Sequence, residues 1–164
     1  MDKLIIKQAS YEDIAVICDI LQEAANWCHE NGISSWSKEE LTWEGLNTYY
    51  NYDEFYLGYL DDSPVAVMVL LYYDSKFWSK IRKGEALILH KLAVRRRVAG
   101  KGFSVEMINY AKQKAKSIGV KTLRLDTIGE RCKLREFYEK QGFKLYDKIK
   151  INDREFALYI CYLS

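Results

Sequence analysis

The sequence predicts an α/β fold built on a mixed sheet, and three observations carry that expectation. Helix-like and strand-like periods alternate through the middle of the chain. Turn-forming stretches join pairs of strand-like runs into hairpins, one before that middle and one at its end. A basic, glycine-containing segment separates an apolar strand from a long helical run, which is the order of a strand–loop–helix unit.

The elements follow in order. Leu4 to Gln8 reads as a short strand. Ser10, with Asp13 three residues on, caps a helix whose Ile14, Ile17, Cys18, Leu21, Ala24, Ala25 and Cys28 recur at helical spacing until Asn31-Gly32 stops it. Ser37 with Glu40 repeats the capping pattern and predicts a second, shorter helix through Leu41, Leu46 and Tyr49. Glu54 to Leu60 and Val65 to Tyr73 form a hairpin about Asp61-Asp62-Ser63-Pro64. Ala86 to Val94 is the next strand. A helix from Phe103 presents Val105, Met107, Ile108, Ala111 and Ala115 to a core and ends at Ser117-Ile118-Gly119. Val120 to Asp126 is a strand, Cys132 to Gln141 a helix stopped by Gly142, and Phe143 to Ile149 with Glu155 to Tyr162 a hairpin about Ile151-Asn152-Asp153-Arg154. The predicted order is β, α, α, β, β, β, α, β, α, β, β, a mixed α/β sheet.

Length and composition bound the classes. A chain of 164 residues that is 49% hydrophobic fills one core, so a single domain over 1–164 is expected. No apolar run approaches the ~18 residues of a membrane span, and Met1-Asp2-Lys3 does not open a basic, then apolar leader. A cytoplasmic protein without membrane contact is the expectation. Cys18, Cys28, Cys132 and Cys161 lie far apart, and only His29 and His90 offer imidazole, so reduced thiols and no metal site are expected.

Charge is unevenly distributed. Residues 1–62 hold thirteen acids against Lys3, Lys7 and Lys38, whereas residues 91–124 hold ten basic side chains against Glu106. Such fields favour an anionic ligand at the second segment and a cationic one at the first, the plain alternative being solvated faces. Arg97-Val98-Ala99-Gly100-Lys101-Gly102 focuses the basic field. Two glycines let backbone N–H groups approach an anion, the following helix adds its N-terminal partial charge, and Arg95, Arg96, Arg97 and Lys101 surround the spot. Lys112, Lys114 and Lys116 share a helix whose other face is core, and no aromatic basic platform accompanies them, so nucleic acid is not the expected partner.

Three segments, in order, resemble the GNAT family, the GCN5-related N-acetyltransferases. Leu89-His90-Lys91-Leu92-Ala93-Val94 is similar to the family's fourth strand. Arg97-x-x-Gly100-x-Gly102 is similar to its pyrophosphate loop, and Leu134-Arg135-Glu136-Phe137-Tyr138-Glu139-Lys140-Gln141-Gly142-Phe143 to its late helix and following strand. The resemblance spans nearly the whole chain. It implies a mostly antiparallel sheet of six to seven strands flanked by four helices, and acetyl transfer from acetyl-CoA directly to a small-molecule or peptide amine, with no metal, in a monomer or homodimer. The alternative is a noncatalytic acyl-CoA-binding or regulatory protein of the same fold.

The resemblance also assigns residues. The pantetheine arm pairs with the backbone of Leu92, Ala93 and Val94, and the phosphates meet Arg97, Val98, Ala99, Gly100, Lys101, Gly102, Phe103 and Ser104. Tyr138 matches the general acid, a phenol whose unperturbed pKa of ~10 lies above the ~8.5 of a thiol; a core tyrosine has the same spacing. His90, two residues before Leu92, is read as the base or as a structural histidine, and Glu85 is the next candidate base. Val94 N–H is the family-like oxyanion donor. Where the family often has a cofactor-contacting asparagine, this chain has Arg131-Cys132-Lys133, so Arg131 or Lys133 is expected at a phosphate or in solvent. Among the aromatics and acids of the first two helices, Trp27, Trp36 and Glu30 are candidates for holding a cationic acceptor, the alternative being helix packing.

Overall fold

The computed structural model describes residues 3–164. Met1 and Asp2 lie outside them, and with them most of the N-terminal leader reading. Seven strands form one sheet in the order β1-β2-β3-β4-β5-β7-β6. They are β1 (Ile5–Gln8), β2 (Phe55–Leu60), β3 (Ser63–Leu71), β4 (Ala86–Val94), β5 (Thr122–Ile128), β6 (Lys144–Ile151) and β7 (Arg154–Tyr162). Four helices accompany them: α1 (Ile14–Glu30), α2 (Trp43–Asn47), α3 (Phe103–Ser117) and α4 (Cys132–Lys140). The expected order of elements is observed. β4 and β5 are parallel, while β1–β2, β2–β3, β5–β7 and β6–β7 are antiparallel. No helix among the described residues is long and apolar enough to cross a membrane.

The described chain divides into two compact units, one containing the chain up to Leu70 with Lys91–Met107 and the other Leu71–His90 with Ile108–Ser164. In the first unit, the β2–β3 hairpin closes through Asp61 and Asp62, both left-handed at φ 49° and 68°, which is the two-residue turn whose twist suits paired strands. The Ser10 cap opens the 3-10 turn Tyr11–Asp13 that runs into α1, rather than α1 itself. Ser10 N–H donates to Asp13 Oδ2 at 2.8 Å, and Ser10 and Asp13 complete a capping box. Ile17, Ile20, Leu21 and Ala25 of α1 are buried. Val65, Val98 and Phe103 form a smaller buried cluster with Leu4, Leu60 and Val94 against it, which seats the loop before α3.

The second predicted helix is not one helix. Ser37 N–H does donate to Glu40 Oε2 at 3.1 Å, but that cap opens only a 3-10 turn, Glu39–Leu41. Thr42 is extended at ψ 159° and starts again, its hydroxyl accepting from Gly45 N–H at 3.1 Å to cap α2. The two turns press together at Gly45. A Cβ built there would lie 2.4 Å from the Glu39 carbonyl oxygen.

In the second unit, α4 is pinned to β7 by a polar chain. Arg135 Nε donates to the Tyr159 hydroxyl at 2.9 Å, and that hydroxyl donates to Glu139 Oε2 at 2.8 Å. Lys112 Nζ donates to the Gln141 carbonyl at the end of α4, and so serves the fold rather than a ligand. The β6–β7 turn again uses two left-handed residues, Asn152 and Asp153. The four cysteines are free thiols.

Gly45→Ala is expected to lower stability by about 1–3 kcal/mol, the usual cost of overpacking, read as a lower urea midpoint with an unchanged slope.

Candidate active site

In the first unit the glycine loop has the backbone that an anion cradle requires. Gly100 and Gly102 are left-handed, at φ 79° and 85°, and a Cβ built on either meets nothing within 4 Å. Both positions therefore need glycine for conformation, and both face open space, so an anion can approach the backbone there. Val98 is buried and anchors the loop, Ala99 and Ser104 are half-buried, and Phe103 begins the fifteen-residue α3 from a buried position. Arg97 and Lys101 are exposed beside the loop. These residues fit a polyphosphate ligand.

The other two arginines have partners within the fold. Arg95 Nη1 pairs with Asp19 Oδ2 at 2.8 Å and Glu23 Oε1 at 3.1 Å, and its Nε donates to the Pro64 carbonyl. Arg96 N–H donates to Glu23 Oε2 at 2.7 Å, while its guanidinium lies 3.7 Å from the centre of the Trp27 ring. Part of the acidic N-terminal charge is thus spent on the basic segment itself. Trp27 is a platform for Arg96. Trp36 is also engaged: Lys91 Nζ sits 5.0 Å from its ring centre, 6.0 Å from that of Tyr50 and 3.5 Å from Glu40 Oε1. An aromatic and acidic cage does form, and a lysine of the same chain fills it. Glu30 is exposed at the end of α1.

Lys91 is left-handed at φ 52° in the middle of β4. Simple two-residue alternation does not run through such a residue, so His90 is not placed on the face of Leu92 and Val94 by counting. Leu92 and Val94 are half-buried and Ala93 is buried.

The second unit holds the titratable centre. His90 Nε2 lies 2.9 Å from Asp74 Oδ2 and 3.8 Å from Asp126 Oδ1. Their side chains are 12%, 7% and 16% exposed, so the three groups are mostly shielded from water. Asp74 Oδ1 in turn accepts from the backbone N–H groups of Lys76 and Phe77 at 2.8 and 3.2 Å. Burial pushes the Asp74 carboxyl up, but the His90 hydrogen bond and charge, with those two N–H groups, more than reverse this and leave it below its ordinary value. The three ligand atoms lie within 4.8 Å of one another, close enough to converge on a cation. Sequence reading missed both carboxylates. Asp74 sits in the irregular 72–85 segment, where no period places it, although Asp126 is signalled by the alternation of β5.

Glu85 stands apart from this centre, exposed before β4 with its carboxylate 3.9 Å from Arg82. Tyr138 is buried at 8% exposure on α4, its ring 5.8 Å edge-on from Phe143 and 5.5 Å from Phe137. Burial, with the Asp126 charge, pushes its hydroxyl well above its ordinary value, against the opposing Arg131 charge. It is protonated at neutral pH. Full transfer of that proton to a free thiolate is uphill, so Tyr138 is suited to donate while a bond to sulfur is breaking. Arg131 is half-buried at the start of α4, and Lys133 is exposed.

The family model described as the acetyltransferase (GNAT) family matches residues 18–143. The chain belongs to the GNAT family. A curated family relative, the uncharacterized N-acetyltransferase YesJ of Bacillus subtilis (strain 168), is 27% identical over 145 residues, covering 83% of this chain and 79% of its own. The crystal structure of a GNAT acetyltransferase from Listeria monocytogenes 4b F2365 is similar over 98% of this chain and 95% of its own, with 24% identity and a TM-score of 0.78. N-acetylglutamate synthase from Neisseria gonorrhoeae, complexed with coenzyme A and N-acetyl-glutamate, matches 98% of this chain with 35% of its own, at 17% identity and a TM-score of 0.70. These two structural likenesses show the GNAT fold, a mixed and mostly antiparallel sheet of seven strands with four helices.

A carboxyl lowered in the folded state stabilises the fold above its ordinary value of ~3.9 and loses that contribution as pH falls through the lower folded value. Wild type is therefore expected to exceed Asp74→Asn in urea stability by a constant margin between about pH 5 and 6. Below about pH 4 the margin closes.

Proposed function

We propose that this GNAT protein is an acetyl-CoA-dependent N-acetyltransferase, acting over 1–164 as one catalytic domain on a small-molecule or peptide amine. The observation that carries the reading is the pair of left-handed glycines, Gly100 and Gly102, opening onto free space ahead of α3, in a chain the family model matches over residues 18–143.

Acetyl-CoA supplies an acyl thioester. The acceptor must lose a proton before its nitrogen has a lone pair, and His90 takes that proton and passes it to solvent, with Asp74 holding the ring. Val94 N–H steadies the negative charge that develops on the carbonyl oxygen. As the nitrogen–carbon bond forms and the carbon–sulfur bond breaks, the Tyr138 hydroxyl donates its proton to sulfur. The second proton shed by the nitrogen restores the hydroxyl. The balance is an amide, a thiol and one proton released. Leu92, Ala93 and Val94 hold the pantetheine arm in this reading, and Arg97 and Lys101 with the 98–104 backbone hold the phosphates.

Calorimetry of coenzyme A tests the loop. Gly100→Asp, which adds an anion and a strained backbone at the phosphate position, is expected to abolish binding in a folded protein, and unchanged affinity would refute the placement. Thiol release tests the chemistry: Tyr138→Phe is expected to lower kcat by roughly 10²-fold with coenzyme A affinity kept. Wild-type turnover in that variant would return Tyr138 to the core.

A further inference from the structure

β5 carries a cation two residues from the acid that faces His90. Arg124 and Asp126 alternate with the buried Leu123, Leu125 and Thr127, so they share one face of the strand. The parallel register pairs Ile88 with Arg124, which sets His90, two residues further along β4, beside Asp126, as the 3.8 Å separation records. Arg124 Nε donates to the Thr122 hydroxyl at 3.0 Å, and its guanidinium lies 5.1 Å from the Trp78 ring centre. Among the described residues it makes no ion pair, whereas Arg82 and Arg95 each meet a carboxylate. Its planar fork suits a carboxylate.

Trp78 belongs to the segment that also delivers Asp74, and its backbone N–H donates to the Asp74 carbonyl at 3.2 Å. Trp78 is 4% exposed, and its indole Nε1–H is buried without a hydrogen-bond partner. A buried donor left unmatched is costly, and an acceptor oxygen brought in by a ligand removes that cost. One sheet face therefore offers acids and an imidazole at one end and, two residues or about 7 Å along β5, a guanidinium without a carboxylate partner, against which the Trp78 ring is packed.

We propose that the acceptor is a small amino carboxylate. Its ammonium group docks at Asp74, His90 and Asp126, and its carboxylate at Arg124 and the Trp78 indole. This rests on the acetyltransferase reading above. The bond-forming step is unchanged; what is added is recognition of the second charge, which a decarboxylated amine or an internal peptide amine lacks.

The test is thiol release with acetyl-CoA across free α-, β- and γ-amino acids, each beside its carboxamide and its decarboxylated amine. At least one free amino acid is expected to exceed its two neutralised counterparts tenfold or more in kcat/KM. Arg124→Gln should collapse that preference toward unity through a rise in KM, Arg124→Lys should keep part of it, and Trp78→Phe should lower it severalfold. Carboxamides or plain amines that turn over as well as the acids, or a preference that survives Arg124→Gln, would overturn the proposal. If no amine releases thiol, the acetyltransferase reading fails by itself. Calorimetry of the free amino acids with wild type and Arg124→Gln then still decides the subsite, with equal or absent binding to both counting against it.

Discussion

One backbone constraint shapes this protein more than any other: a left-handed lysine, Lys91, set in the middle of an otherwise regular strand. An L-residue in that conformation costs about 1–2 kcal/mol, so its surroundings must hold it there. They do so through the side chain, with Glu40 as counter-ion and the Trp36 and Tyr50 rings around the ammonium. On one side of Lys91, β4 pairs in parallel with β5 from Ala86 to Ile88 and carries His90. On the other it restarts its alternation and leads to Arg95 and the glycine loop. The period of the strand is thus broken between His90 and the residues that lead to the loop.

The charges of the chain are read differently once their partners are known. Opposite fields at 1–62 and 91–124 look like two ligand-binding surfaces in composition. In the fold, Asp19 and Glu23 neutralise Arg95, Glu23 also accepts from the Arg96 backbone, and Glu40 neutralises Lys91. Beside the glycine loop, Arg97 and Lys101 are left exposed with the loop backbone. Partly shielded pairs of this kind act more on geometry than on net stability, since desolvation offsets much of their attraction. Arg95 has its orientation set by two carboxylates and the Pro64 carbonyl, and the loop starts from that anchor.

In the second unit two groups have their proton affinities set in opposite directions. Asp74 is held ionised by an imidazole and two backbone donors, whereas Tyr138, walled by Phe137 and Phe143, is held neutral by burial. The irregular 72–85 segment brings one of them to β4, and α4, pinned through Arg135, Tyr159 and Glu139, carries the other.

The sequence by itself determined the order of elements, the presence of a turn in each hairpin, the capping box of Ser10 and Asp13 ahead of α1, and the glycine loop. Each is a local property: a 3.6 or 2 period, a side chain reaching its own backbone three residues on, or a position that only glycine occupies without strain. The break at Thr42, the filling of the aromatic cage by Lys91, the commitment of Arg95 and Arg96 to α1, and the meeting of Asp74 with His90 were decided by tertiary structure. Apart from Thr42, whose cap on Gly45 is local but competes with the Ser37 cap, the deciding partner is remote or irregular in the chain. Lys91 and Glu40 are 51 residues apart, Arg95 and Asp19 are 76 apart, and Asp74 lies where no period extends. Side-chain type tells which interactions a residue is able to make. Only the packed sheet and its connections bring a particular partner within the few ångströms at which one of them forms.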